Sequence, residues 1–227
     1  MTGLKGRLTG RRVIALIAAL VAFGGSAAAT ATATTAETDS PASRSGALQR
    51  LEQYFDAIDT LEGEFRQVTM DETDTVIEEA EGSFVIARPQ RFVWDYRTPW
   101  EQMIVADGEK LWVHDVALDQ VVVRPLDEAL GVGAAQLLSR DFASLQERFD
   151  LSVADDGRIL MRPTDPAWDF QRVHLTLEDG VPTAIEVADG LGQRITVELL
   201  EIVRNPAIEP ERFDFQPPEG VDVMRGS

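Results

Sequence analysis

Apolar residues are spaced in three different ways along this chain, and each spacing predicts a different kind of structure. Val13 to Phe23 is an unbroken apolar run, VIALIAALVAF, behind a stretch that carries Lys5, Arg7, Arg11 and Arg12 and no acidic residue. Small residues follow from Gly24 to Ala33, with A-x-A sites such as Ala27-Ala28-Ala29. A basic flank, a short apolar core and small residues are the layout of a secretory signal peptide. The run falls short of the roughly 20 residues that a permanent membrane helix needs. A signal peptide over 1–29, cleaved between 29 and 33, is therefore expected, followed by a flexible polar leader over 30–45 that contains Pro41.

The second spacing is three to four. Leu48, Leu51, Phe55, Ile58 and Leu61 predict one amphipathic helix, stopped at Gly63. The third spacing is two, and it holds from Glu64 onward. Phe92, Trp94 and Tyr96 alternate with Val93 and Asp95. Further strands are predicted at Glu101 to Ala106, Lys110 to Asp115, Gln120 to Arg124, Leu151 to Ala154, Arg158 to Arg162, Gln171 to Leu177, Thr183 to Val187 and Arg194 to Val203. Asp107-Gly108, Asp156-Gly157, Asp179-Gly180 and Asp189-Gly190 lie between such runs and favour tight antiparallel hairpins. No βαβ alternation appears, so a parallel sheet is not expected. One stretch interrupts the strands: Leu137, Leu138, Phe142, Leu145 and Phe149 have helical spacing, with Gly131 and Gly133 loosening the approach. The pattern is α+β: one single domain over 46–227, a large antiparallel sheet with an N-terminal helix and a helical insertion near 127–149.

Composition removes function classes more than it adds them. The chain has 227 residues, 44% hydrophobic and 26% charged, which is ordinary for a globular protein. The absence of cysteine excludes disulfides, Cys-ligated zinc, a thiolate nucleophile and a lipidated N-terminal cysteine. The formal charge is -18. Loss of the signal peptide lowers the basic count from 21 to 17 against 39 acidic residues, giving -22. Such a charge argues against nucleic acid and against anionic membrane surfaces as partners.

The chain offers little for catalysis. There is no G-x-S-x-G elbow, phosphate loop or dinucleotide fingerprint. His114 and His174 sit within strands with no triad or metal spacing around them. Glu78-Glu79-Glu81 and Asp155-Asp156 lack the alternating ligands of a calcium loop and read as solvated surface. No enzyme activity, cofactor or metal is expected. What stands out is the ring content of Glu81 to Val123, where Phe84, Phe92, Trp94, Tyr96, Trp100 and Trp112 fall on adjacent strands. A long sheet with so little helix to cover it predicts an incompletely filled, aromatic-lined concavity, suited to an apolar ligand.

That segment resembles the LolA family of periplasmic lipoprotein carriers. The resemblance is carried by Gly82-Ser83-Phe84, Arg88-Pro89, Phe92-Val93-Trp94, Pro99, Val105-Ala106-Asp107-Gly108, Leu111-Trp112 and Leu118-Asp119-Gln120-Val121. Leu137-Leu138 and the C-terminal run Arg212 to Val221 extend it. Gly133-Ala134 stands where the family often has Thr-Pro before the lid leucines.

The resemblance implies an unclosed antiparallel half-barrel of about 11 strands under a helical lid. It implies a carrier that shields lipoprotein acyl chains on their way from a LolCDE-type inner-membrane ABC transporter to the outer membrane, where a LolB-type receptor accepts them. Arg88 matches the latch that bonds lid carbonyls in the empty form. Phe92, Trp94, Ile104, Leu137 and Leu138 are assigned to the acyl lining, and a monomer is expected. The alternative is a non-catalytic module on the same fold that senses lipids or lipoproteins.

Overall fold

A computed structural model describes residues 41–126, 140–166, 168, 170–190 and 192–226, with side chains from Gly46 onward. Helix α1 spans Pro41–Ala57. It is followed by β1 (Thr60–Met70), β2 (Val76–Ala87), β3 (Arg91–Thr98), β4 (Gln102–Asp107), β5 (Lys110–Asp115) and β6 (Gln120–Pro125). Then come α2 (Phe142–Arg148), β7 (Phe149–Val153), β8 (Ile159–Pro163), β9 (Phe170–Glu178), β10 (Val181–Asp189), β11 (Arg194–Arg204), a 3-10 turn at Pro210–Phe213, and β12 (Asp222–Arg225). The strands form one 12-stranded sheet in the order β12-β6-β5-β4-β3-β2-β1-β11-β10-β9-β8-β7. Its two ends do not pair with each other, so the sheet is an open half-barrel. No described helix is long and apolar enough to cross a membrane.

Strands β1 to β11 are antiparallel, as the alternation predicts. The expectation of a wholly antiparallel sheet is corrected by β12, which pairs parallel with β6, Val223 opposite Val121. The chain reaches that edge by crossing the convex face. Ile208, Phe213 and Phe215 pack there against Val85, Val93, Val105 and Trp112. This crossover lets the last strand arrive in the parallel sense.

The helix also differs from its prediction. Pro41 suits a first helical turn, since its missing N–H would be unbonded there, and the last residues of the expected leader are helical. The other end stops at Ala57, before Leu61 and Gly63. Asn205, at the end of β11, causes this. Its side-chain nitrogen donates to the Ala57 carbonyl at 3.0 Å, and its oxygen accepts from the Asp59 N–H at 2.9 Å. The chain then enters β1. Gly63 is a strand residue beside a register shift, where a Cβ would meet the Leu200 carbonyl oxygen at 2.5 Å.

Of the expected insertion at 127–149, residues 127–139 lie outside the described residues. The remainder is α2, capped by Asp141, whose side chain accepts from the Ser144 N–H at 2.7 Å. Phe149, expected on the helical face, opens β7 instead.

Candidate functional site

Alternation along β3 turns Phe92, Trp94 and Tyr96 to the concave face and Val93 and Asp95 to the other. Ile104 of β4 pairs opposite Trp94, and Phe84 of β2 lies on Trp94's other side. The Trp94 ring stacks on Phe65 at 4.6 Å and on Phe84 at 5.4 Å, and Tyr96 meets Phe65 edge-on at 4.9 Å. Offset and edge-on pairs of this kind suit the aromatic quadrupole. Phe92, Trp94 and Ile104, three of the five expected acyl-lining residues, thus share one apolar cluster. Leu137 and Leu138 lie outside the described residues. Trp112, counted among the rings of the Glu81 to Val123 segment but not in that lining set, lies elsewhere. It faces the convex side, packs on Phe215 at 5.6 Å, and donates its indole N–H to Asp107 at 3.0 Å.

Helix α1 brings Leu51, Tyr54 and Phe55 into the same cluster, and Ile58 just beyond its end joins them. Phe92 is 0% exposed and Trp94 and Ile104 3% each. The concavity predicted to be incompletely filled is therefore packed shut around these three residues. A cleft of about 500 Å³ opens at a different place, between α1, α2 and β7, lined by Leu48, Glu52, Phe142, Phe149 and Leu151 among others.

Arg88 follows β2 and sits under the end of α1. Its guanidinium donates to the carbonyls of Phe55, at 3.4 Å, and of Ile58. It also lies over the rings of Tyr54 and Phe55, 4.4 and 4.5 Å from their centroids. The last carbonyls of a helix carry the negative end of its dipole, so a cation is well placed there. Burial lowers the Arg88 pKa, while Tyr54 opposes the fall. Burial raises the Tyr54 phenol, against the pull of Arg88. Tyr54 and Phe55 belong to α1, and Ile58 follows its end. The lid carbonyls expected to meet Arg88 fall in 127–139, outside the described residues.

One part of the concave face is polar, and sequence reasoning missed it. Tyr96 donates its hydroxyl to the Gln67 side-chain oxygen at 2.9 Å, with both residues buried. Thr69, also buried, pairs opposite Glu78 of β2. Glu78 has one carboxylate oxygen, Oε1, sealed from solvent without a hydrogen-bond partner among the described residues. Burial raises its pKa above the usual carboxylate range. Burial also pushes the Tyr96 phenol up, and the nearby Glu78 charge adds to it. Glu79, by contrast, points outward and pairs with Arg66 at 3.0 Å. The signal that could have found Glu78 was strand parity. Glu78, Ala80, Gly82, Phe84 and Ile86 fall on one face.

The two histidines lie outside this site. His114 approaches Phe215 at 5.9 Å, and His174 faces Glu186 at 3.4 Å.

A sequence model of the family described as outer membrane lipoprotein carrier protein LolA matches residues 56–216. An outer-membrane lipoprotein carrier protein of Alkalilimnicola ehrlichii is 47% identical over 174 residues, covering 77% of this chain and 81% of its own. One of Halorhodospira halophila is 48% identical over 180 residues, covering 79% and 86%. A solved structure of a LolA superfamily protein from Nitrosomonas europaea superposes with a TM-score of 0.49 at 13% identity, covering 75% of this chain and 97% of that chain.

Proposed function

The chain belongs to the LolA family of outer-membrane lipoprotein carrier proteins, and from that premise we propose how it carries lipoproteins and with which partners. Acyl chains are sheltered on the concave face by Phe92, Trp94 and Ile104, joined by Leu137 and Leu138 of the insertion. Hiding one long chain from water is worth about 12 kcal/mol at roughly 0.8 kcal/mol per methylene. No lipoprotein crosses an aqueous compartment without such cover. Moving the chain from bilayer to trough gains almost nothing, because both are apolar. Direction therefore comes from outside the carrier: ATP hydrolysis by a LolCDE-type transporter at loading, and a better acceptor, a LolB-type receptor, at release.

The closed form described above is the empty carrier. For cargo to reach the rings, the cover must leave them, and cover and cargo compete for one apolar surface. Arg88 is the latch of that competition. It holds the closed state through carbonyls and rings that it gives up on opening. The protein works as a monomer in the periplasm, exported by the cleavable segment 1–29, and its acidity keeps it soluble and off anionic membranes.

The observation that carries this reading is a continuous ring-lined face, 0–3% exposed at Phe92, Trp94 and Ile104, beneath a helix pinned by one arginine. The test is to incubate spheroplasts with the purified protein. Lipoproteins leave for the supernatant as one-to-one complexes. Supernatants free of lipoprotein, with the protein shown to be folded, overturn the carrier reading.

A further inference from the structure

We propose that Glu78, Gln67 and Tyr96 form a headgroup filter at the polar side of the trough. It admits acyl groups carried on an uncharged amide linkage and turns away lipids whose polar end bears a phosphate or a carboxylate. The proposal rests on the carrier reading and adds the basis of its selectivity.

A hydrocarbon face cannot tell the chains of a lipoprotein from those of any other membrane lipid, because the same dispersion contacts form with both. Selection must fall on the polar part of the ligand. On β2 the concave positions run Glu78, Ala80, Gly82, Phe84, Ile86, so the face grades from polar to apolar along the strand. On β1 the same gradient appears in Thr69 and Gln67 before Phe65. Gln67 and Thr69 are 4% and 6% exposed, and Glu78 sits opposite Thr69. Polar groups are expensive to bury, so their presence beside an acyl surface needs a reason.

The hydrogen bonding supplies one. Tyr96 fixes the Gln67 oxygen, which leaves the Gln67 amide nitrogen to donate to a ligand carbonyl. Glu78 Oε1 is sealed from solvent and has no donor among the described residues. It awaits an N–H or O–H, which the amide of an N-acylated peptide provides. A phosphate or carboxylate offers no such proton and brings a second negative charge into a site where screening is weak.

The test uses two fluorescent sixteen-carbon probes, a fatty acid and its N-methyl amide, titrated into the purified protein, Glu78→Gln and Glu72→Gln. Glu72 is exposed in the hairpin between β1 and β2 and serves as the control for net charge. The unaltered protein binds the amide more tightly than the acid. Glu78→Gln tightens acid binding about tenfold and weakens amide binding, since its neutral oxygen is a poorer acceptor than the carboxylate. An unchanged circular dichroism spectrum reports that the variant is folded. Glu72→Gln changes neither. An acid-to-amide ratio that is the same in Glu78→Gln and the unaltered protein overturns the filter while leaving the carrier reading intact. So does an equal shift in Glu72→Gln. Failure of the unaltered protein to bind either probe overturns the carrier reading and the filter with it.

Discussion

The guanidinium of Arg88 donates to the main-chain carbonyl of Ile58, at the point where α1 gives way to β1. Thirty positions separate the two residues in sequence. The contact ties the start of the β2–β3 turn to the end of the covering helix. A second tie runs the other way along the main chain, from the Arg88 N–H to the Asp59 carbonyl at 2.9 Å. The helix is therefore hinged on its backbone and held shut by a side chain.

Removing that side chain should loosen α1 while sparing the sheet. In Arg88→Leu the carbonyls of Phe55 and Ile58 lose a charged donor, a loss of about 2 kcal/mol. Hydrogen exchange of α1 amides is expected to accelerate while β3 and β4 amides keep their protection. In a two-carrier assay the variant should load cargo and release it more slowly, since nothing restores the closed state. Unchanged α1 exchange together with normal delivery would show that Arg88 is not a latch.

The two faces of the sheet should separate stability from ligand binding. Trp94 stacks between Phe65 and Phe84 on the concave side, and Phe213 is buried on the convex side against Val93 and Val105. Trp94→Ala and Phe213→Ala should each lower unfolding free energy by about 4 kcal/mol, as expected for truncating a buried ring. Only Trp94→Ala should also weaken binding of a fluorescent acyl probe at a temperature where both variants remain folded. Equal probe affinities in the two variants would show that the concave rings do not line the binding surface.

Much of this arrangement was legible in the chain, for definable reasons. Phe92, Trp94 and Tyr96 alternate with a polar or smaller partner, so their shared face follows from a period of two. The hairpin at Asp179-Gly180 was equally clear, and both residues take positive φ, 48° and 77°. What escaped depended on residues far away. The end of α1 is set by Asn205, 148 positions from Ala57. The parallel pairing of β12 depends on a strap held by Phe213 and Phe215, which no local spacing reveals. Trp112 was grouped with the other rings of its segment, but its parity is opposite to that of Leu111, which sits in the concave cluster, so Trp112 falls on the convex face. Glu78 was hidden by Glu79 and Glu81, which make the run look uniformly solvated. The lid leucines fall where no geometry is described.

Gly82 should be intolerant of any side chain. A Cβ there would lie 1.9 Å from the Asp95 carbonyl oxygen and 2.8 Å from the Phe65 ring, so the β2–β3 pairing would have to part. Gly82→Ala should cost more than about 3 kcal/mol, beyond the usual range for a single substitution. Circular dichroism melts should show a largely unfolded or insoluble protein. Gly46→Ala, within α1, is the contrast. Among the described residues its new methyl would meet only the end of the Arg50 side chain at 3.5 Å, and alanine favours the helix by about 1 kcal/mol. A Gly82→Ala protein as stable as the unaltered one would overturn the described β2–β3 register.

His174 should make the fold weaken in mild acid. Its Nδ1 lies 3.4 Å from Glu186, while Arg158 bridges Glu186 at 3.3 Å and Asp156 at 2.7 Å, and Arg172 adds a further positive charge. Burial lowers the His174 pKa below its ordinary 6.5 and Arg158 lowers it further, with Glu186 and Asp156 pulling the other way. Below that ordinary value the unfolded chain takes up a proton that the folded chain still refuses. The unfolded state then binds more protons, so stability falls with pH. The contribution is complete above 6.5 and is lost as pH drops from there through the lower folded value. Urea midpoints at about pH 7.5 and about pH 5.5 read it directly. The midpoint of the unaltered protein should fall more between the two than that of His174→Gln, which carries no titrating group at this position. Parallel losses in the two proteins would assign the acid sensitivity to other groups and show that burying this imidazole makes no difference to the fold.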